Sequence, residues 1–485
     1  MTTGLIATIL LAYFSLLIIV SFFTGRKADN ETFFTGNRTS PWYLVAFGMI
    51  GASLSGVTFI SIPGEVGNSA WTYLPVVLGN CVGYIVIATL LLPLFYRLNL
   101  ISIYSWLGTR FGENARLTGS FFFILSQLVG ASFRLFLVVG VLQLVLFDSL
   151  GIPFAATVFI TIGLVWIYTF RGGIKTIVWT DALQTVFMLI SVVLTIAIVC
   201  QELDLNVGSM ITLVNKSELS RVFDFDWHSG HNSVKQFLAG IAITVALNGL
   251  DQNMMQKNLT CKSARACQIN MFSFSGMFLL TNILFLTLGV LLYSYASHNG
   301  IGLPTKTDDI FAFLTLNYFG TTAGIFFLLG ITAAAYSSVD SSLTALTTSF
   351  SIDFLKLNPQ DSQQRRKRIW VHVSFSLLMS LVIVVFRELN DSSVINTLFK
   401  AVGYTYGPIL ALFAFGMLTK YNVKQRWVPL ICVLSPILSY IINYNSEKWF
   451  YGYRFGFEIL LLNALICFIG LFLVHTKKNS TYPLK

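Results

Sequence analysis

The stretch that decides the fold is Gly51-Ala52-Ser53-Leu54-Ser55-Gly56-Val57-Thr58, which interrupts an apolar segment beginning near residue 42. Small and hydroxyl-bearing residues replace the large apolar ones just where a membrane helix would be halfway across. In hydrocarbon, a break in a helix is costly unless the freed backbone groups line a cavity. We therefore predict a broken helix whose backbone forms part of a binding site within the membrane.

The composition around this stretch excludes a water-soluble globular protein. Of the 485 residues, 55% are hydrophobic and only 11% are charged, whereas soluble domains contain about 25% charged residues. A membrane helix needs about 20 apolar residues to cross the bilayer. The chain is therefore long enough for about a dozen crossings.

Successive apolar segments predict an all-α polytopic membrane protein with 13 transmembrane helices. We place these helices near residues 5–23, 42–62, 72–97, 117–147, 152–170, 175–200, 236–256, 268–296, 322–350, 370–387, 393–418, 427–444 and 456–475. Pro63-Gly64 is expected to end the second of them, because proline lacks a backbone donor and breaks helices.

The distribution of charge predicts the topology. A net charge of +10 would suit a nucleic-acid-binding protein, but most Lys and Arg residues fall on alternate loops, including Lys257 and a solvated basic turn, Asp361–Arg368. Positive charge concentrates on cytoplasmic loops. We predict a plasma or inner membrane protein with its N-terminus outside and its C-terminus in the cytoplasm. We expect no nucleic acid and no obligate protein partner.

A second interruption occurs five crossings after the first. It reads Asn248-Gly249-Leu250-Asp251-Gln252 and opens the seventh predicted span. Five crossings place the two interrupted segments in opposite orientations, as in inverted repeats whose paired broken helices form a binding site near the bilayer midplane. Helix packing through small residues is the alternative explanation.

A third polar cluster lies in the ninth predicted span and reads Ala333-Ala334-Ala335-Tyr336-Ser337-Ser338-Val339-Asp340-Ser341-Ser342. Sodium is a hard cation that prefers oxygen ligands. Serine hydroxyls together with carbonyls from a broken helix can supply such a site, whereas a polar packing seam is the alternative.

Ionisable residues inside membrane spans are functional candidates. Arg134, Asp181 and Asp340 all lie within predicted spans. Two interpretations stay open: either acid could neutralise Arg134 structurally, or Arg134 could bind an anionic substrate through its planar guanidinium. His228 and His231 lie in a polar loop, where an exposed position is favoured over a zinc site. No catalytic set emerges, so we expect neither an enzyme nor a cofactor other than sodium as coupling ion.

Several segments together resemble the sodium:solute symporter family, from the first span to the last. They are Ala28–Arg38, Trp106–Gly112, Gly172–Gln184, Asp251-Gln252 with Gln256-Lys257, and Gly407-Pro408. The resemblance implies a single transporter domain over residues 1–485 with a LeuT-type core. Its two inverted repeats would be residues 42–200 and 236–418, preceded by an extra helix at 5–23 and followed by two helices within 427–475.

The resemblance also implies a sodium site between the first broken helix and the serine cluster. Its ligands would be the carbonyls of Gly51, Leu54 and Ala334 and the hydroxyls of Ser337 and Ser338. Gly51 stands where the family usually has Ala, and we expect it to loosen the unwound segment.

A second cation or proton site is implied at Asp181, Ser337, Asp340 and Ser341, although a carboxylate at position 340 replaces the serine of members with two sodium sites. For the substrate, the sugar transporters carry Gln and Glu where this chain aligns Thr58 and Val77, which argues against a galactose-type site.

The segment around the first interruption is most similar to the sialic-acid branch of the family. Substrate contacts are therefore expected from Ser53, Ser55, Thr58, Arg134 and Asn248. The predicted function is sodium-coupled import of a small organic solute, with a carboxylate-bearing one such as a sialic acid favoured. The alternatives are a sodium-coupled sugar or amino-acid symporter, proton coupling through Asp181 or Asp340, and a transporter-like membrane sensor.

Overall fold

Helices form almost the entire chain in a computed structural model, which describes residues 3–476 except 27, 171, 228, 230, 390–393, 454 and 457. The first part of the chain comprises α1 (Thr3–Gly25), α2 (Asn30–Thr35), α3 (Trp42–Ser53), α4 (Gly56–Ser69), α5 (Leu74–Val86), α6 (Leu92–Arg97), α7 (Ser105–Phe111), α8 (Glu113–Leu142), α9 (Phe154–Thr169) and α10 (Ile174–Glu202).

The remaining part begins with a short helix between spans and ends with a small two-stranded sheet. It comprises α11 (Val207–Lys216), α12 (Ser233–Thr244), α13 (Gln252–Asn258), α14 (Ala264–His298), α15 (Ile310–Asn317), α16 (Gly320–Ser349), α17 (Arg365–Leu389), α18 (Val394–Leu418), α19 (Val428–Tyr444), α20 (Ser446–Trp449), α21 (Ile459–Leu473), β1 (Asn422–Val423) and β2 (His475–Thr476). The two strands pair antiparallel.

The length and apolarity of these helices make the chain a multi-pass membrane protein. Among the described residues, eight helices are long and apolar enough to cross a bilayer, or up to ten if each of two sharply bent helix pairs counts as one span. Three shorter apolar helices cover Phe154–Thr169, Gly403–Leu418 and Ile459–Leu473.

The core of the molecule is built around α16, nearly all of which is buried. Helix α10 packs along α16 and along α3, while α8 packs against both α16 and α18. The other long apolar helices leave more of their surface exposed, whereas α16 is enclosed by protein. Its polar residues are therefore removed from both water and lipid.

The prediction that Pro63-Gly64 ends the second span is wrong, because α4 continues through Pro63 to Ser69. Transmembrane helices tolerate proline where neighbouring groups satisfy the freed backbone. Next to the proline, the Tyr293 hydroxyl donates to the Gly64 carbonyl at 2.7 Å and links α4 to α14. Thr307 approaches Gly64 so closely that a Cβ there would meet its carbonyl oxygen at 2.0 Å.

Two basic residues assigned to solvated inside segments are in fact buried. Arg368 belongs to α17, is 1% exposed and lies over the ring of Phe33 with its guanidinium carbon 4.1 Å from the ring centroid. Lys257 belongs to α13 and is also 1% exposed. Neither residue therefore counts as a loop charge. Residues 27, 228 and 477–485, which also entered the sequence interpretation, lie outside the described part.

Candidate functional site

The predicted break in the first interrupted segment lies at Leu54 and Ser55. Helix α3 ends at Ser53, Leu54 and Ser55 have non-helical backbone angles, and α4 starts at Gly56. The axes of the two helices differ by 58°. Since the last turn of a helix leaves its carbonyls without backbone partners, the oxygens around residues 51–54 are available to other ligands.

The serine cluster of α16 lies directly beside this break. The Ser338 hydroxyl is 3.5 Å from the Ala52 carbonyl oxygen and donates to the Ala334 carbonyl at 3.2 Å. Ser337, Ser338 and Ala334 are all buried. The structure thus brings the broken helix and the serine helix together, as the predicted sodium site requires.

Gly51, at the end of α3, packs closely against α10. Its backbone N–H donates to the Thr185 hydroxyl at 3.1 Å, and that hydroxyl donates to the Asp181 carbonyl at 2.8 Å. A Cβ at Gly51 would lie 2.6 Å from Thr185 Oγ1. The glycine therefore allows close packing of α3 on α10 and ties the end of α3 to its neighbour.

Asp181 pairs with Lys257 and not with Arg134. The Lys257 Nζ atom is 2.6 Å from Asp181 Oδ2, and both side chains are 1% exposed. The other carboxylate oxygen, Oδ1, accepts a hydrogen bond from the Ser337 hydroxyl at 2.5 Å. Asp181 thus connects α10 to α13 through a buried ion pair and to α16 through a predicted sodium ligand.

Asp340 also has a partner other than Arg134. It is fully buried on α16 and accepts a hydrogen bond from the Tyr168 hydroxyl at 3.0 Å. The Ser341 backbone N–H also donates to its carboxylate, while the Ser341 hydroxyl bonds back to the Ser337 carbonyl. Asp340 interacts electrostatically with Asp181 and Lys257. The residues of the predicted second cation site are therefore neighbours.

Arg134 lies near the first break without a direct ionic partner among the described residues. Val138 lies one turn further along α8, and a Cβ added to Gly56 would lie 2.8 Å from its side chain. This face of α8 therefore packs against the start of α4. Arg134 is half-buried, and its buried Nε atom has no hydrogen-bond partner in the described structure. Its electrostatic neighbours are Tyr406 and Asp251.

The other substrate candidates divide between the two broken helices. Ser55 is buried, and its hydroxyl lies 3.3 Å from the hydroxyl of the half-buried Thr58. The buried Ser53 hydroxyl neighbours Tyr84. Asn248 is half-buried on the π-helical turn that precedes the second break.

The second interruption also breaks a helix, with a bend of 70°. Asp251 caps the N-terminus of α13 by accepting from the Met254 N–H at 3.1 Å, and it accepts a further hydrogen bond from the Tyr406 hydroxyl. Gln252 binds the backbone of Ile101 and Ile103.

Sequence reasoning treated these polar residues only as a motif and missed their partners. Gln256 donates to the Phe34 carbonyl and to the Thr348 hydroxyl, both at 2.8 Å. With Asp251, Gln252 and Lys257, it completes a set of four side chains that contact distant segments. Five polar residues among the seven positions 251–257 of a membrane helix were the available signal. Among the described residues, no group of His, Cys, Asp or Glu forms a further metal site.

Comparison with solved structures supports the fold. A substrate-bound, outward-open Na⁺-coupled sialic acid symporter superposes with a TM-score of 0.82 at 19% identity, covering 98% of this chain and 99% of that chain. A transporter of the nucleobase-cation-symport-1 family has a TM-score of 0.51 at 10% identity, covering 90% and 93%.

Curated relatives match over most of their length. The sodium/sialic acid symporter NanT of Aliivibrio fischeri is 24% identical over 91% of this chain and 89% of its own. SiaT of Proteus mirabilis, also a sodium/sialic acid symporter, is 24% identical over 94% and 93%. The human sodium/iodide cotransporter is 25% identical over 85% and 65%. The model of the sodium:solute symporter family matches residues 33–425, so the chain belongs to that family.

Proposed function

We propose that this protein is a sodium-coupled symporter that imports a small, carboxylate-bearing organic solute by alternating access. The observation that carries the proposal is the contact between the serine helix and the first break, where the Ser338 hydroxyl lies 3.5 Å from the Ala52 carbonyl. Family membership and the sodium-coupled relatives support the same function. The proposal includes no catalytic step and no cofactor other than the coupling ion.

The proposed topology has 13 crossings, an outside N-terminus and a cytoplasmic C-terminus. The inverted repeats are residues 42–200 and 236–418, with one helix before them and two helices within 427–475 after them. Two bent helix pairs in corresponding places support the repeats, because paired broken helices are typical of such transporters.

The proposed sodium ligands are the carbonyls of Gly51, Leu54 and Ala334 and the hydroxyls of Ser337 and Ser338. When the Ser337 hydroxyl donates its proton to Asp181, its oxygen lone pairs are free for a cation. Sodium at this point joins α3 to α16 and shapes the adjoining solute pocket. Binding energies are reciprocal, so solute raises sodium affinity by the same factor. Each inward charge adds about 2.3 kcal/mol at 100 mV.

The proposed solute contacts are Ser53, Ser55, Thr58, Arg134 and Asn248. Arg134 supports a carboxylate because a half-buried guanidinium with an unpartnered Nε can accept a planar anion through paired N–H donors. The sialic acid named for two relatives carries such a group. The hydroxyls of Ser55 and Thr58 supply additional hydrogen bonds at the break.

Uptake into proteoliposomes tests the coupling. We expect solute accumulation under an inward sodium gradient and none under a pH gradient without sodium. The Ser337→Ala, Ser338→Ala double variant should lose sodium-driven uptake, whereas Ser376→Ala should not, because the Ser376 hydroxyl bonds back to the His372 carbonyl within α17. Sodium-independent uptake, or full activity of the double variant, would contradict the proposal.

A thermal-shift screen of sugars, sugar acids, monocarboxylates and amino acids tests the solute class. In the presence of sodium, the stabilising compounds should be anions, and Arg134→Ala should abolish their effect. Arg134→Lys retains the charge but lacks the planar fork, so it should weaken the effect without removing it. Neutral sugars that stabilise Arg134→Ala as well as the parent would refute the role of Arg134.

A further inference from the structure

A buried cluster beside the proposed sodium site contains its own cation. Lys257 Nζ lies 2.6 Å from Asp181 Oδ2, and each side chain is 1% exposed. Within the described part of the chain, neither of these two atoms has another hydrogen-bond partner. Among the described residues, the ammonium and this carboxylate oxygen thus interact with each other and with no other hydrogen-bonding group.

The surroundings of this pair are rich in oxygen. Asp181 Oδ1 accepts from Ser337, Asp340 accepts from Tyr168, and both carboxylates interact electrostatically with Lys257. Carboxylates and hydroxyls are the ligands that hard cations prefer. Without Lys257, the cluster would bring two buried carboxylates together with no counter-charge. Such a site would attract a small monovalent cation from solution.

We propose that the Lys257 ammonium is the resident cation of this second site and that the transporter therefore binds one sodium ion, not two. The inference rests on the proposed sodium coupling. The ammonium occupies Asp181 Oδ2, and its positive charge repels a second ion from the same carboxylates. A single sodium then binds between the first break and α16.

The ion pair between Lys257 and Asp181 has a structural consequence for the transport cycle. Lys257 belongs to α13, the inner part of the second broken helix, whereas a free ion would belong to no helix. The ion pair links α13 to α10, and the Ser337 hydroxyl continues the link to α16 and the proposed sodium site. Lys257 thereby acts as a positioning residue that connects the second broken helix to the proposed sodium ligands beside the first broken helix.

Equilibrium binding of radioactive sodium to the purified protein in detergent tests the inference by counting ions per chain. We expect one ion on the parent and two on Lys257→Met, because a buried carboxylate that loses its partner is strongly destabilised until another cation neutralises it. Lys257→Arg retains a tethered cation and should bind one. The Asp181→Asn, Lys257→Met double variant lacks both charges of the pair. It should also bind one, because the remaining carboxylate, Asp340, keeps its hydrogen bonds from Tyr168 and Ser341.

Two ions on the parent would overturn the inference, as would one ion on a Lys257→Met variant that still unfolds cooperatively. If Lys257→Met does not fold, the count on the parent decides. If the parent binds no sodium, the proposed coupling fails. A gain of one ion by Lys257→Met would then still support the role of Lys257, and the absence of such a gain would overturn it.

Discussion

The two broken helices of this protein differ in what their breaks leave available. At the first break, Leu54 and Ser55 interrupt the helix with neutral residues, and the nearby carbonyls face hydroxyls of α16. At the second break, the carboxylate of Asp251 caps α13 and accepts from Tyr406, and Gln252 binds a neighbouring loop. The first break offers unused oxygens, whereas the second uses its polar groups to hold the fold.

This difference shows that one sequence pattern can serve two purposes. Both interruptions combine small and polar residues in the middle of an apolar segment. In the first, the polar groups are backbone carbonyls and short hydroxyls, which suit a small cation. In the second, they are long side chains that reach other segments. Loss of a hydroxyl at the first break should therefore mainly change binding, and loss of Asp251 or Gln252 at the second should mainly change stability.

The largest effect is expected from Asp251→Ala. The substitution removes a helix cap, worth about 0.5–2 kcal/mol, and leaves the buried Tyr406 hydroxyl without its acceptor, which costs about 1–3 kcal/mol. The free energy of unfolding should fall by about 1.5–5 kcal/mol, measured by thermal unfolding in detergent. Asp251→Asn retains an acceptor and serves as the control. A fully stable Asp251→Ala would contradict the structural role of the second break.

Ser338→Ala, in contrast to Asp251→Ala, should weaken sodium binding and leave the stability of the fold nearly unchanged. Loss of one hydroxyl ligand to a cation should weaken sodium affinity by about 1.5–3 kcal/mol, or about 10–150-fold, with little change in thermal stability without sodium. Sodium titration of uptake and of melting temperature measures both quantities. Ser376→Ala is the matched control, since it removes a buried serine hydroxyl far from the break. An unchanged sodium affinity would remove Ser338 from the site.

Gly51→Ala tests how tightly the end of α3 packs on α10. The added methyl group would collide with Thr185 Oγ1, and overpacking of this kind costs about 1–3 kcal/mol. We expect lower stability and weaker sodium binding together, because the same displacement moves the Gly51 carbonyl. Adding Thr185→Ala to the same chain should restore part of the stability and part of the sodium affinity. A variant with parental stability would show that the helices separate without cost.

The smallest effect is expected at Asp29, an exposed counterpart of the Asp251 cap. Its carboxylate accepts from the Thr32 N–H at 2.7 Å, and this hydrogen bond holds the pKa of Asp29 below its usual range. A lowered pKa means that the stabilisation is present above the carboxyl's ordinary pKa of about 3.9 and is lost as the pH falls through the lowered value.

Asp29→Ala should cost about 1 kcal/mol, and the difference from the parent should vanish in acid. Thermal unfolding of the parent and of Asp29→Ala between neutral and acidic pH measures this difference in stability. An effect of Asp29→Ala as large as that of Asp251→Ala would show that burial adds nothing to a cap in this protein.

The sequence predicted the breaks, the serine cluster and the isolated charges more accurately than it predicted the partners of those charges. The breaks at residues 54–55 and 250–251 lie where small and polar residues interrupt apolar runs, because helix continuity in a membrane depends on local composition. Lys257, by contrast, resembled a loop cation until the fold showed it buried against Asp181. Gln252 and Gln256 were equally unassigned, since their acceptors lie in other segments.

The amino-acid sequence by itself determined that this chain lies in a membrane, where its helices break, and which family it resembles. Those properties follow from apolar length, local interruptions and short motifs. Only the tertiary structure decided which polar groups remain free for an ion or a solute. Hydrogen bonds and ion pairs inside a bilayer are made between helices distant in the chain, so each group's availability depends on the approach and rotation of its neighbours.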